Sequence, residues 1–369
     1  MNTTHDTQVA IIGAGAIGCS IAYHLASRGA HVTLVEGKGV GAGTSSANLG
    51  LVWVQGKEPA GYMELNLLGA KLHATLATRF EEDIGLRQPG GLSICLDEVE
   101  LQESLESMKR LMSGSSKYEA RALSPAELRD LEPCISSEVI GGVYTPHDGH
   151  VNPNKLVVNL ERLARREGAQ FLLRTQARSI RVDERGVRGV ETPDGFVRAG
   201  AVVVAAGVGS AALVEPLGFK LPLRFDRGQI LVTAQVGPLL HHPTDNIRQT
   251  EEGNVLMGTT HEDAGLDTST TIDAAGRIAR NAIRSFPVLR DIPVIRQFAG
   301  IRPMPVDGKP YLGPVERVPG LYVAVSHSGI TLAALHGKAI TELILDGKTE
   351  VPIGPYRPER YAQGRPPAR

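Results

Sequence analysis

The feature that most limits how this chain folds lies around Gly13. An apolar run at 8–12 enters Gly13-Ala14-Gly15-Ala16-Ile17-Gly18 and continues as an apolar-periodic helix to residue 28. A second apolar run at 31–35 ends in Glu36, eighteen residues beyond Gly18. Strand, glycine turn, helix, strand and terminal acid form the βαβ unit that binds an adenine dinucleotide. Gly13 permits the tight turn, Gly15 lets the backbone approach a pyrophosphate, and Gly18 lets the helix pack closely on the strand. Ala14, Ala16 and Ile17 complete the turn at a helix N-terminus, whose positive end faces the phosphates. Glu36 is placed to accept from a ribose hydroxyl and would repel a 2′-phosphate, so the ligand is NAD or FAD.

Composition removes several competing classes. Of 369 residues, 39 are basic, 40 are acidic and 42% are hydrophobic, the balance of an ordinary globular protein. No basic block calls for nucleic acid or an anionic membrane, and 21% charge does not signal disorder. A chain this long holds about two or three folding units, enough to bury a ligand. Residues 1–8 lack the basic and apolar segments of a secretory signal, and no apolar run nears the roughly 18 residues of a membrane span. Cys19, Cys95 and Cys134 are odd in number and show no C-x-x-C spacing, which suits reduced thiols. The expectation is a soluble cytoplasmic protein that provides no metal or iron–sulfur site of its own.

Later segments bear on the choice of dinucleotide. Residues 201–207 read AVVVAAG, an apolar strand closed by small residues. Residues 298–303 (FAGIRP) and 307–313 (DGKPYLG) precede a strand at 320–325, then Ser326-His327-Ser328-Gly329-Ile330-Thr331 and an apolar-periodic helix to residue 345. A helix beginning near Gly329 would aim unpaired N–H groups at the negative side of a reduced flavin, which favours FAD over nicotinamide.

In this order the segments resemble the D-amino-acid oxidase-like family of FAD-dependent amine oxidoreductases, over nearly the whole chain. The second glycine-rich stretch, Gly39 to Gly50, is similar to the family's run along the FAD. The resemblance implies FAD contacts at Lys38, Thr44, Ser45, Asn48, Leu49, Gly50, Ala177, Ala206, Gly207, Arg302, Ser328, Gly329, Ile330 and Thr331, besides the glycine turn and Glu36. It also implies an α/β fold: a Rossmann-like FAD domain of the glutathione-reductase type (1–58, 150–215, 300–350) and an α+β substrate domain of mixed sheet (59–149, 216–299). Within the latter, apolar spacing predicts helices over 64–84 and 97–112, and strands over 229–234 and 254–258. Prolines and glycines predict an extended tail at 351–369.

Arg302 falls where the family grips a substrate carboxylate, a task suited to a planar guanidinium fork. Arg248 and His261 flank a hairpin-like segment and are further pocket candidates. The finer resemblance, carried by residues 48–57, is to the β subunits of opine oxidases, with hydrogen-cyanide synthase and proline or hydroxyproline dehydrogenase β subunits nearby. It implies oxidation of a carboxylate-bearing secondary amine such as octopine or nopaline. Electrons would pass to partner subunits carrying an iron–sulfur centre, with FMN at a subunit junction near Lys57 and His150. Two alternatives stand beside it: a free-standing glycine, sarcosine or D-amino-acid type oxidase that reduces oxygen, and a non-catalytic subunit whose FAD serves assembly or electron relay.

Overall fold

In the computed structural model, which describes residues 3–361, the chain divides into two compact units. The first gathers the chain up to Ser46, Asn154–Asp226, and the chain from Arg302 onward. Its central sheet has the order Tyr311–Pro314, Leu321–Val325, Ala201–Val204, Val9–Ile12, Val32–Glu36, Gln170–Leu173, parallel throughout except for the first pair. Val9–Ile12 and Ala201–Val204 are buried at every position, as expected of inner parallel strands covered on both faces. Ala10, Ile12, Val202 and Val204 share one apolar cluster with Ile180, Val190 and Val197. Those last three come from a second sheet, ordered Thr3–Asp6, Gly195–Arg198, Gly186–Thr192, Ser179–Asp183. The helices Ala16–Ala26 and Ala333–Leu345 pack together. Gly337 lets them meet, since a Cβ there would lie 2.3 Å from His24 Nδ1 and 2.5 Å from Ser20 Oγ.

The second unit comprises Ala47–Pro153 and Arg227–Ile301. One sheet runs Ile247–Gln249, Asn254–Met257, Leu223–Gln235, Val294–Pro305, the two long strands extending beyond the unit's limits. Another runs Gly91–Cys95, Gly141–Thr145, Arg121–Leu123, and Leu51–Val52 pairs with Gly149–His150. That short ribbon moves the boundary. Residues 47–58, expected with the FAD domain, are tied by backbone hydrogen bonds to the strand before Pro153 and belong to the second unit.

Other boundaries shift for local reasons. The helix expected at 64–84 is Ala60–Ala77, starting after Pro59 and stopping at Thr78. The one expected at 97–112 is Glu98–Gly114, with the Asp97 carboxylate accepting from the amides of Val99 and Glu100. The strand expected at 229–234 is longer, Leu223–Gln235. The helix Ile272–Ser285, which the sequence did not suggest, starts at the Thr271 cap and buries Ala274, Ile278 and Ala282 along one stripe.

The largest correction is the tail. Up to Tyr361 it is packed, with turns at Gly354–Tyr356 and Pro358–Tyr361 and with Val351, Ile353 and Tyr356 buried. The rest of the expected extended tail lies outside the described residues. No helix among the described residues is long and apolar enough to cross a membrane.

Candidate functional site

The glycine turn is built by what its missing side chains leave open. Gly13 has φ +108°, and a Cβ there would lie 2.5 Å from the Ala205 carbonyl oxygen. A Cβ on Gly18 would lie 1.9 Å from the Gly13 carbonyl oxygen, so this glycine closes the helix onto its own entry turn. Gly15 has a use the motif did not disclose. A Cβ there would meet Ser45 Oγ at 2.8 Å, and that hydroxyl accepts from Ala16 N at 3.0 Å. Gly15 is the N-cap residue and has no side chain to cap with, so Ser45 supplies the cap from a distant loop.

Glu36 ends its strand with both oxygens engaged: Oε2 accepts from Ala14 N at 2.9 Å and Oε1 from Lys38 N at 2.7 Å. The carboxylate anchors the turn from the position where the sequence places a ribose acceptor. Lys38 contributes its backbone amide here. Ala206 and Gly207 follow the strand Ala201–Val204 after one intervening residue, Ala205, which donates its amide to the Ile12 carbonyl at 2.9 Å, so the return segment lies beside the turn. Ala177 is buried in the cluster that contains Ala10, Ile12 and Val35. Thr44 and Ser45 sit in the short helical turn Thr44–Ser46.

The last segment departs from expectation at its helix start. Residues 327–332 form turns, and the helix begins at Ala333, four residues later than the sequence suggested. The Ser328 carbonyl accepts from Leu332 N at 2.9 Å, which gives Ser328, Gly329, Ile330 and Thr331 a compact turn in place of an open helix end. A Cβ on Gly329 would lie 3.7 Å from Ile17 Cδ1, so this turn meets the first helix at its start.

Arg302, read as a carboxylate grip, carries an internal partner: its Nη1 lies 2.9 Å from Asp226 Oδ2, and both side chains are 16% exposed. The pair spans 76 positions, and nothing in the sequence connects the two. The DGKPY signature serves the tail. Arg360 forks onto both Asp307 oxygens at 2.9 and 3.0 Å, donates to the carbonyls of Lys309 and Pro310, and lies over the Tyr311 ring at 4.0 Å. Burial alone would raise the Asp307 carboxyl, but the Arg360 bonds hold it below its ordinary value.

In the second unit, Asn48 Oδ1 accepts from Gly50 N at 2.7 Å, closing an Asx turn that fixes Leu49 and Gly50. Leu49 packs on Ile230 and Leu256. Its carbonyl accepts from Arg248 Nε, and Arg248 Nη1 lies 3.4 Å from His150 Nδ1. Arg248 is 3% exposed, and burial lowers it to about 10. Burial first, then the charges of Arg248 and Arg87, hold His150 down to about 3, so its imidazole is neutral near pH 7.

Two residues before His150, Asp148 is fully buried. Its Oδ1 accepts from Val54 N at 2.5 Å and Gln55 N at 3.3 Å, while Oδ2 finds no partner among the described residues. Burial raises this carboxyl to about 7, against the two amides and the charge of Lys57. His261 does not join Arg248. It lines a separate cavity of about 380 Å³ with Ile247, Thr259, Arg277 and Asn281, and Ile247 points to the opposite face of the strand from Arg248. Among the described residues, no group of acidic, histidine or cysteine side chains could hold a metal ion.

The profile of the DAO family, described as FAD dependent oxidoreductase, matches residues 8–343. The chain belongs to the DAO family of FAD-dependent oxidoreductases. It is similar to an opine oxidase subunit of Agrobacterium tumefaciens (strain Ach5), 30% identical over 373 residues, covering 97% of this chain and 98% of that one. It is also similar to hydrogen cyanide synthase subunit HcnC of Pseudomonas aeruginosa, 27% identical, with 98% of this chain and 97% of that one covered. Among solved structures, glycine oxidase from Geobacillus kaustophilus superposes with a TM-score of 0.91 at 28% identity, covering 96% of this chain and 99% of that one. The glycine turn fits the family cofactor: a Cβ at Gly13, Gly15 or Gly18 has no room, and the turn opens a helix N-terminus suited to phosphate.

Proposed function

We propose that this DAO-family chain is the FAD-bearing subunit of a cytoplasmic, multi-subunit dehydrogenase for carboxylate-bearing secondary amines, octopine and nopaline among them. The observation that carries this reading is the nearly end-to-end alignment with the opine oxidase subunit. FAD would rest on the 13–18 turn, with Glu36, Ser45, the Ala206–Gly207 return and the 328–331 turn as its holders. FAD held there would supply the acceptor for a hydride leaving the amine carbon as the nitrogen lone pair forms the imine, which water would split into an amino acid and a 2-keto acid. The chain's own task is positioning. Arg302 is assigned one substrate carboxylate, with Asp226 orienting its guanidinium until substrate arrives. Partner chains with an iron–sulfur centre would take the electrons. Lys57 is kept as a phosphate contact for FMN at such a junction, whereas His150 is engaged by Arg248.

A second reading, a free-standing amino-acid oxidase, draws on the likeness to glycine oxidase. Incubating the purified protein with octopine or nopaline and an artificial electron acceptor distinguishes them. The proposal expects amino acid and 2-keto acid in equal amounts and iron in the co-purified complex. Glycine turnover with peroxide and no co-purified iron would favour the second reading.

A further inference from the structure

The second unit holds a cavity that the proposed chemistry does not use. Its volume is about 380 Å³, room for about a dozen waters, and its lining lies between positions 245 and 282, inside that unit. Three walls enclose it: the turn 245–247, the strap 258–261 and one face of the helix Ile272–Ser285. The strand Ile247–Gln249 turns Ile247 toward the cavity and Arg248 away from it.

The walls are already fixed. Thr244 Oγ1, fully buried, accepts from Ile247 N at 2.9 Å and donates to Asn246 Oδ1 at 3.0 Å, which locks the turn that carries Asp245. The strap joins that turn where Gly258 N donates to the Asn246 carbonyl at 2.8 Å. Farther along, Thr260 Oγ1 accepts from Gln229 N at 3.0 Å, and Glu262 is held to Arg227 by two backbone hydrogen bonds and an ion pair at 2.6 Å. On the helix, Ile278 and Ala282 share the apolar core of Ile247, and Arg277 and Asn281, one turn apart, reach the cavity beside them. A site built from ordered walls binds without the cost of ordering itself.

The lining combines an apolar floor with two opposite charges. Ile247, Ile278 and Ala282 are buried, whereas Asp245 and Arg277 are exposed and stand on different walls. The Asp245 carboxylate makes no ion pair among the described residues. Arg277 is paired with Asp273 on its own helix at 3.0 Å, and with both side chains more than half exposed that pair holds it weakly. A net anion would be repelled by Asp245 and a net cation by Arg277, whereas a molecule carrying both charges is attracted by each. Thr259, His261 and Asn281 add hydrogen-bonding groups to the lining.

We propose that this cavity binds a zwitterionic α-amino acid with a short aliphatic side chain. Its carboxylate meets Arg277, its ammonium meets Asp245, and its side chain rests on Ile247, Ile278 and Ala282. The assignment holds whichever amine the flavin oxidises.

The test uses L-valine beside 3-methylbutanoate, which is valine without its ammonium, and isobutylamine, which is valine without its carboxylate. Each is titrated calorimetrically into the full-length, FAD-loaded protein while the flavin spectrum is followed. Valine is expected to fill a site that leaves the flavin spectrum unchanged, with each analogue about tenfold or more weaker there. Asp245→Asn should weaken valine about tenfold and leave 3-methylbutanoate unchanged, and Arg277→Gln should weaken valine about tenfold and leave isobutylamine unchanged. Both substitutions lie at exposed positions and keep the buried floor. Absence of flavin-silent valine binding, equal binding of 3-methylbutanoate, or valine binding undiminished in both variants overturns the proposal.

Discussion

Asp148→Asn isolates one buried carboxyl and predicts how stability depends on pH. In the folded chain burial raises Asp148 from 3.8 to about 7, so the native state binds a proton that the unfolded state releases. The sign follows: stability from the protonated group is full below pH 3.8, falls as pH rises toward 7, and levels off above it. Asparagine copies the protonated acid. Its carbonyl oxygen still accepts from Val54 and Gln55, and its amide replaces the hydroxyl at the position of Oδ2. Between pH 4.5 and 8, the wild type should therefore lose about 3 kcal/mol relative to the variant, from roughly two and a half pKa units at about 1.4 kcal/mol each. At little more than about 1 °C per kcal/mol for a chain this long, that is about 4 °C in thermal midpoint. His150, depressed to about 3, acts in the opposite direction, gaining stability as pH rises toward its ordinary value, but it does so in both proteins and cancels in the difference. The assay is thermal unfolding of both full-length proteins by circular dichroism across that range. Parallel midpoints at every pH would refute a protonated Asp148.

Three further outcomes follow from named contacts. Gly13→Val should abolish FAD retention, measured as flavin absorbance per protein, because its side chain would enter the space 2.5 Å from the Ala205 carbonyl at a backbone angle valine avoids. Arg360→Ala should cost about 3 kcal/mol in denaturant unfolding by leaving Asp307, 9% exposed, without its counter-ion; an unchanged midpoint would show that the tail does not hold the fold. Arg302→Ala should raise KM for carboxylate substrates by about tenfold or more at unchanged FAD content, and loss of flavin would make the residue structural.

The nucleotide half was legible because its signals are local. Gly13, Gly15 and Gly18 follow a buried strand at fixed spacing, and Glu36 closes the next strand at the expected distance, so adjacent residues carried the information. What stayed hidden depends on contacts between distant positions. Ser45 caps a helix 29 residues earlier, Arg302 meets Asp226 across 76 positions, and Arg360 docks on Asp307 across 53. The tail composition suggested an extended end because prolines and glycines break periodicity, yet Tyr356 and Arg360 fix the segment up to Tyr361 through side chains. Arg248 and His261 looked like equivalent pocket candidates in sequence. Strand alternation separates them, since Ile247 lines the cavity with His261 while Arg248 faces the other way.

On the proposed reading, this chain oxidises a carboxylate-bearing secondary amine and passes the electrons to a partner rather than to oxygen. The most direct measurement is the flavin absorbance of the purified complex mixed anaerobically with octopine or nopaline and then exposed to air. The expected result is bleaching that persists after air is admitted and is relieved by an artificial acceptor. Absence of bleaching with either amine, or rapid recovery in air with peroxide formed, would contradict it.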